Sequence, residues 1–212
     1  RRCRRRLWAR AGAAWPARGI FLKAYKHEGE LELWAAPPSR GRWVKVRTFP
    51  ICAASGRLGP KREQGDLQVP EGAYVINRFN PRSRFHLSLG LNYPNRVDRF
   101  RSKGVDPGDD IFIHGGCVTV GCLPLKDGPM EDLYLAARFA RHAGQRRIPV
   151  HIAPCRFGTP QCEALTRAPR YRAHRALWTQ LRAMHRAFLK TGRPPIVRDR
   201  REGTYTIRPR AR

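Results

Sequence analysis

Between residues 20 and 49 the apolar residues fall in three short β-prone runs, Ile20–Tyr25, Glu30–Ala35 and Trp43–Phe49, parted by Gly29 and by Pro37-Pro38-Ser39-Arg40-Gly41. Runs of this length separated by turn formers fold as an antiparallel meander. A meander is a sheet with faces to bury, so the rest of the chain must supply its cover. Further β-prone pieces lie at Tyr74–Asn77, Phe85–Leu89, Ile111–Ile113, Ile148–Ile152 and Thr204–Ile207. The cover comes from two segments with helical periodicity. Pro129–His142 places Leu133, Ala136, Ala137 and Ala140 on one side and stops at Gly144, and Arg172–Lys190 places Leu177, Leu181, Met184 and Phe188 on one face. From Ser55 to Gly72 the chain holds four glycines and two prolines among polar residues, a composition that excludes a regular element and predicts a long surface loop.

The chain has 212 residues, 41% of them hydrophobic, which suffices for one core. No apolar run approaches the roughly 18 residues that a membrane-spanning helix needs. The opening Arg1-Arg2-Cys3-Arg4-Arg5-Arg6 is followed by Leu7–Trp15, which is too short and too interrupted by arginine for the apolar region of a secretory signal. A net charge of +27 raises nucleic acid as a partner, with the anionic cell envelope second. Against nucleic acid, the sequence carries no zinc finger, helix-turn-helix or aromatic RNA-binding signature, so none is expected. Only seven of the 43 basic residues are lysines, and an arginine excess spread along the chain also fits a GC-rich coding background. Six cysteines, at 3, 52, 117, 122, 155 and 162, are too few for a disulfide scaffold in a chain this long. None of the spacings is the C-x2-C of a tetrahedral site, so no metal is expected and buried apolar thiols are the default reading.

One segment carries chemistry. Ile113–Leu125 reads IHGGCVTVGCLPL: a strand end, His114, a glycine pair, and Gly121 directly before Cys122. A cysteine near its free pKa of about 8.5 is mostly thiol at neutral pH and needs a base to become a nucleophile. If the loop folds back, His114 can reach the sulfur of Cys122, and backbone N–H groups around Gly121 and Cys122 can form an oxyanion hole. By spacing alone, a structural histidine beside two packed thiols fits equally well.

The same residues resemble the active-site signature of the L,D-transpeptidase (YkuD-type) catalytic domain, in which His-Gly is followed by Ser/Thr-x-Gly-Cys, here Thr119-Val120-Gly121-Cys122. LELW at 31–34, ICAASGRLGPK at 51–61, QGDLQVPEGAY at 64–74, FHLSLGLNYPNRVDR at 85–99 and the stretch from Trp178 to Tyr205 resemble the murein L,D-transpeptidase subgroup. The resemblance implies a mainly β fold with flanking helices, a β-sandwich or curved antiparallel sheets. It divides the chain into a basic N-terminal extension (1–17), a catalytic domain (18–155) and a C-terminal helix with short strands packed on it (156–212). It also implies roles: Cys122 as nucleophile, His114 as proton donor and acceptor, the Gly115 carbonyl holding the tautomer of His114, and Gly121 contributing oxyanion-hole backbone. His86 and Thr119 become candidates for the substrate groove. No cofactor is implied.

The activity implied is acyl transfer through a cysteine thioester at the L-centre of diaminopimelate in peptidoglycan stem peptides, in the periplasm or cell envelope, with a role in wall organisation and cell shape. A hydrolase of the same fold that releases a wall-linked lipoprotein is the alternative. A basic nucleic-acid-binding protein is the alternative of another class. The chain departs from the family pattern at two places. Val120 stands where many members have a second histidine, and Leu123-Pro124-Leu125 stands where an Arg or Asn often follows the nucleophile. Cys117 is the rival nucleophile and a conceivable disulfide partner of Cys122. Tyr93, Asn95 and Arg96 are open either to peptide recognition or to turn formation, and Arg57 and Lys61 either to substrate carboxylates or to solvent.

Overall fold

A computed structural model of the chain describes residues 2–210, with side chains from residue 5 onward. In chain order its elements are α1 (Arg2–Arg10), β1 (Ile20–Tyr25), β2 (Glu30–Ala35), β3 (Val44–Pro50), β4 (Gly72–Ser83), β5 (His86–Leu91), α2 (Arg96–Arg101), β6 (Phe112–His114), β7 (Leu123–Pro124), α3 (Asp127–His142), β8 (Pro149–Ala153), α4 (Pro160–Arg167), α5 (Arg175–Thr191), β9 (Ile196–Asp199) and β10 (Tyr205–Arg208). A 3-10 turn, Pro169–His174, leads into α5.

Eight strands form one curled sheet in the order β3-β2-β1-β8-β4-β5-β6-β7, and β9 and β10 make a separate hairpin. The predicted meander is β1 to β3, antiparallel throughout. The sheet as a whole is mixed rather than antiparallel, because β8 runs parallel to β1 and β7 parallel to β6. Strand β4 gives the sheet its bend: its first residues pair with β8, and from Ile76 onward it pairs with β5 through two register shifts.

Strand β1, IFLKAY, is buried along its whole length, as a strand covered on both faces must be. Ile20, Leu22 and Ala24 join the larger core with Met130, Leu133, Ala136, Ala137 and Ala140 of α3. On the opposite face Phe21 meets Phe188 of α5 edge-on at 5.3 Å, and Tyr25 enters a second core with Leu177, Trp178, Leu181 and Met184. At about 25 cal/mol per Å² of apolar area, two such faces dominate the stability of the domain. The basic stretch before β1 is also docked: Trp8 packs at 4.9 Å on Trp15, which meets Phe139 of α3 at 5.2 Å.

The cysteines overturn the reading of buried thiols. Cys52 is bonded to Cys117 and Cys155 to Cys162, which leaves Cys122 as a free thiol. The pairing also excludes a bond between Cys117 and Cys122 in this state. The side chain of Cys3 lies outside the described residues.

Candidate active site

Parallel strands normally need a dozen or more connecting residues, yet β6 and β7 are joined by residues 115–122 alone. A connection that short must rise off the sheet and turn back sharply, which glycines make possible. Gly116 and Gly121 have φ of 71° and 86°, in the left-handed region. Gly115 is required for another reason, since a Cβ there would lie 2.8 Å from Asp127 Oδ1 and 2.9 Å from Phe85 O. In the register, Ile113 faces Leu123 and His114 faces Pro124, which sets Cys122 beside Phe112. Strand alternation then puts Phe112, His114 and Cys122 on one face, while Ile113 and Leu123 sink into the core.

His114 is 3% exposed, with the ring of Phe85 tilted over it at 4.9 Å. Its Nδ1 lies 2.7 Å from the Gly115 carbonyl. A carbonyl only accepts, so Nδ1 carries the proton and Nε2 keeps its lone pair. Burial pushes the imidazole pKa down, partly countered by the Gly115 bond. Burial also pushes the Cys122 thiol up, against the pull of the Phe112 N–H, which donates to Sγ at 3.4 Å. The pair at rest is therefore a thiol beside a neutral imidazole. The sulfur's other contact is the Asp110 carbonyl at 3.7 Å, and no hydrogen bond joins Sγ to His114 in this arrangement.

Thr119 is held in the turn before Cys122. Its Oγ1 accepts from Cys122 N at 3.0 Å and donates to the Cys122 carbonyl at 2.9 Å, closing the turn that presents the nucleophile. The Gly121 N–H donates to Ser55 Oγ at 2.7 Å, so the two N–H groups expected to form an oxyanion hole both have partners. His86 Nε2 lies 3.0 Å from Glu131 Oε1 of α3, a surface pairing behind the catalytic loop. In the NYPNR segment Tyr93 Oη donates to Pro107 O at 2.9 Å, the Asn95 side chain caps α2, and Arg96 N donates to Asp199, while the Arg96 side chain is exposed. Lys61 is buried and donates to Asp66 Oδ1 and Glu63 O within its own loop, whereas Arg57 is exposed.

A cavity of about 360 Å³ opens onto the sulfur, lined by Cys122, Leu123, Lys26, His27, Ser55 and Arg57 among others. Its wall, residues 51–58, is fastened to the catalytic loop three times: by the Cys52–Cys117 disulfide, by Cys52 N donating to Pro124 O at 3.1 Å, and by Ser55 on Gly121. Behind it Lys26 donates to the carbonyls of Gly59 and Val69, each at 2.7 Å, and pairs with the buried Glu71 at 3.3 Å. Glu71 in turn accepts from Gly59 N and Trp178 Nε1. Among the described residues no group of three or more His, Cys, Asp or Glu could hold a metal ion.

A family model, the L,D-transpeptidase catalytic domain (YkuD), matches residues 36–152, more than half of the chain, including His114, the catalytic loop and Cys122. The chain belongs to the L,D-transpeptidase (YkuD) catalytic-domain family. That family acts on peptidoglycan. YafK of Escherichia coli strain K12, provisionally named an L,D-transpeptidase, is 29% identical over 180 residues, covering 84% of this chain and 70% of its own. Two structures of the helical cell shape determining protein Pgp2 from Campylobacter jejuni share the fold. One aligns with a TM-score of 0.51 at 21% identity over 72% of this chain. The other, a point mutant, aligns with a TM-score of 0.52 at 20% identity over 87%. The chain spans 56% and 63% of the length of those two proteins.

Against the L,D-transpeptidase signature, the residues that sequence reasoning missed are Ser55, Asp127 and Cys52. Asp127 Oδ1 accepts from Gly116 N at 2.9 Å and so fixes the near end of the catalytic loop. Its one sequence signal is an acid in the first turn of α3.

Proposed function

We propose that this protein is a cysteine acyltransferase of the bacterial cell wall, acting through a thioester on Cys122 formed with the diaminopimelate carbonyl of a stem peptide. The observation that carries the reading is a free thiol at the mouth of a groove, one strand across from a histidine whose Nδ1 proton is held by Gly115. In this reading, rotation about the Cα–Cβ bond of Cys122 brings Sγ toward Nε2 of His114. The imidazole takes the thiol proton as the sulfur attacks the carbonyl carbon. The tetrahedral intermediate collapses, the C–N bond to D-alanine breaks, and His114 returns the proton to the departing amine. An acceptor amine then reverses the sequence, with His114 again as base.

Apo catalytic hydrogen bonds are often long and tighten in the complex, so the missing thiol–imidazole bond agrees with this sequence of steps. Two disulfides support an oxidising compartment such as the periplasm, where Cys122, the one free thiol among the described side chains, stays available. Incubation with diaminopimelate tetrapeptides and with lipoprotein-linked sacculi, followed by mass analysis, tests the reading. Cross-linked dimers with release of D-alanine are the expected result, and free lipoprotein peptide with no dimers would make water the acceptor. Unchanged substrate with both would overturn the reading.

A further inference from the structure

We propose that the hydroxyl of Ser55 is the oxyanion donor of this site. The inference rests on the thioester reading and adds a group to it. In acyl transfer the attacked carbonyl oxygen becomes an anion and needs fixed donors, and the N–H groups nearest the nucleophile already have partners. That of Cys122 is taken by Thr119, and that of Gly121 by Ser55 Oγ at 2.7 Å. Accepting the Gly121 N–H leaves Ser55 with its own proton to give, and among the described residues that proton has no acceptor. A hydroxyl that accepts one hydrogen bond donates a stronger one, because linked hydrogen bonds polarise one another.

Ser55 also stands in the right place. It lines the same cavity as Cys122, in the 51–58 wall that is fastened to the catalytic loop. Its position is fixed on both sides. Cys52 is tied to Cys117 and Pro124, and Arg57 N donates to Gln68 Oε1 at 2.9 Å. Gly56 between them has φ of 72°, and a Cβ there would lie 2.7 Å from Leu67 O. A donor held this way needs no reorganisation as charge develops.

The step then balances. The thiolate of Cys122 forms the C–S bond, the carbonyl π pair moves onto oxygen, and that oxygen accepts from Ser55 O–H, which keeps its proton throughout. When the pair returns, the C–N bond breaks and the amine leaves with the proton from His114.

The test separates an oxyanion donor from a mere peg for Gly121. Acylation of Cys122 by a donor tetrapeptide or by a carbapenem builds an oxyanion, whereas alkylation by iodoacetamide does not. Ser55→Ala should slow acylation by about 10²-fold, the usual cost of one lost oxyanion donor. Alkylation of Cys122 should keep its rate and its pH midpoint, and Ser55→Thr should restore most of the acylation rate. Acylation within about threefold of the parent would overturn the role, since one oxyanion donor is worth far more. A parallel fall in alkylation, or a displaced pH midpoint, would also overturn it and reduce Ser55 to a loop support. Failure of the parent protein itself to be acylated would instead overturn the thioester reading on which this role depends.

Discussion

Cys122 and His114 are both held by burial in their uncharged forms, the thiol raised and the imidazole lowered. A raised acid stays protonated to higher pH, so thiolate-dependent alkylation of Cys122 should climb with pH and reach half its maximum above the roughly 8.5 of a free cysteine. A plateau already reached at pH 7 would mean a standing thiolate–imidazolium pair and contradict this description. These two candidates were legible because the motif places them in one contiguous segment, in which His114 Nδ1 donates to the Gly115 carbonyl. Ser55 was not legible, since it meets Gly121 across 66 positions of chain and only the fold brings them together. Thr119, a candidate for the substrate groove, has its hydroxyl closing the turn before Cys122, as short polar side chains beside sharp turns commonly do.

At the scale of elements, the meander and the two long helices followed from periodicity, because burial on a fixed face writes itself into the sequence every second or every third to fourth residue. The parallel joints β1·β8 and β6·β7 left no such trace, since alternation does not record strand direction. Helix α2 has six residues and a charged surface, and its signal is the capping box of Asn95 and Asp98 rather than an apolar stripe. Strand β4 runs on to Ser83, well past the Tyr74–Asn77 run that the sequence marks as β-prone. Disulfide pairing was equally hidden, because Cys52 and Cys117 are 65 positions apart. Closing so long a loop restricts the unfolded chain by about 4 kcal/mol in the entropic limit. The double variant Cys52→Ser/Cys117→Ser should therefore unfold several degrees lower in a thermal melt and still acylate on Cys122. An unchanged melting temperature would show that the bond contributes no stability, and loss of the adduct with the fold intact would return Cys117 to candidacy as the nucleophile.

For the whole molecule, composition set the size of the core and the charge but not where the charge sits. Glu32, Glu71 and Asp98 are buried, and so, nearly or fully, are Lys23, Lys26 and Lys61, while no described arginine is. The described arginines thus form an outer field of positive charge, which draws any polyanion at low salt and fades beyond a Debye length of about 8 Å at physiological ionic strength. Binding to sacculi or to nucleic acid would report that field rather than the chemistry. A small soluble donor avoids it. The most direct measurement is the intact mass of the protein after incubation with a diaminopimelate tetrapeptide or a carbapenem, for the parent, Cys122→Ala and Cys117→Ala. One acyl adduct on the parent and on Cys117→Ala, with none on Cys122→Ala, is the expected result. An adduct that survives in Cys122→Ala would contradict the assignment of the nucleophile and the mechanism built on it.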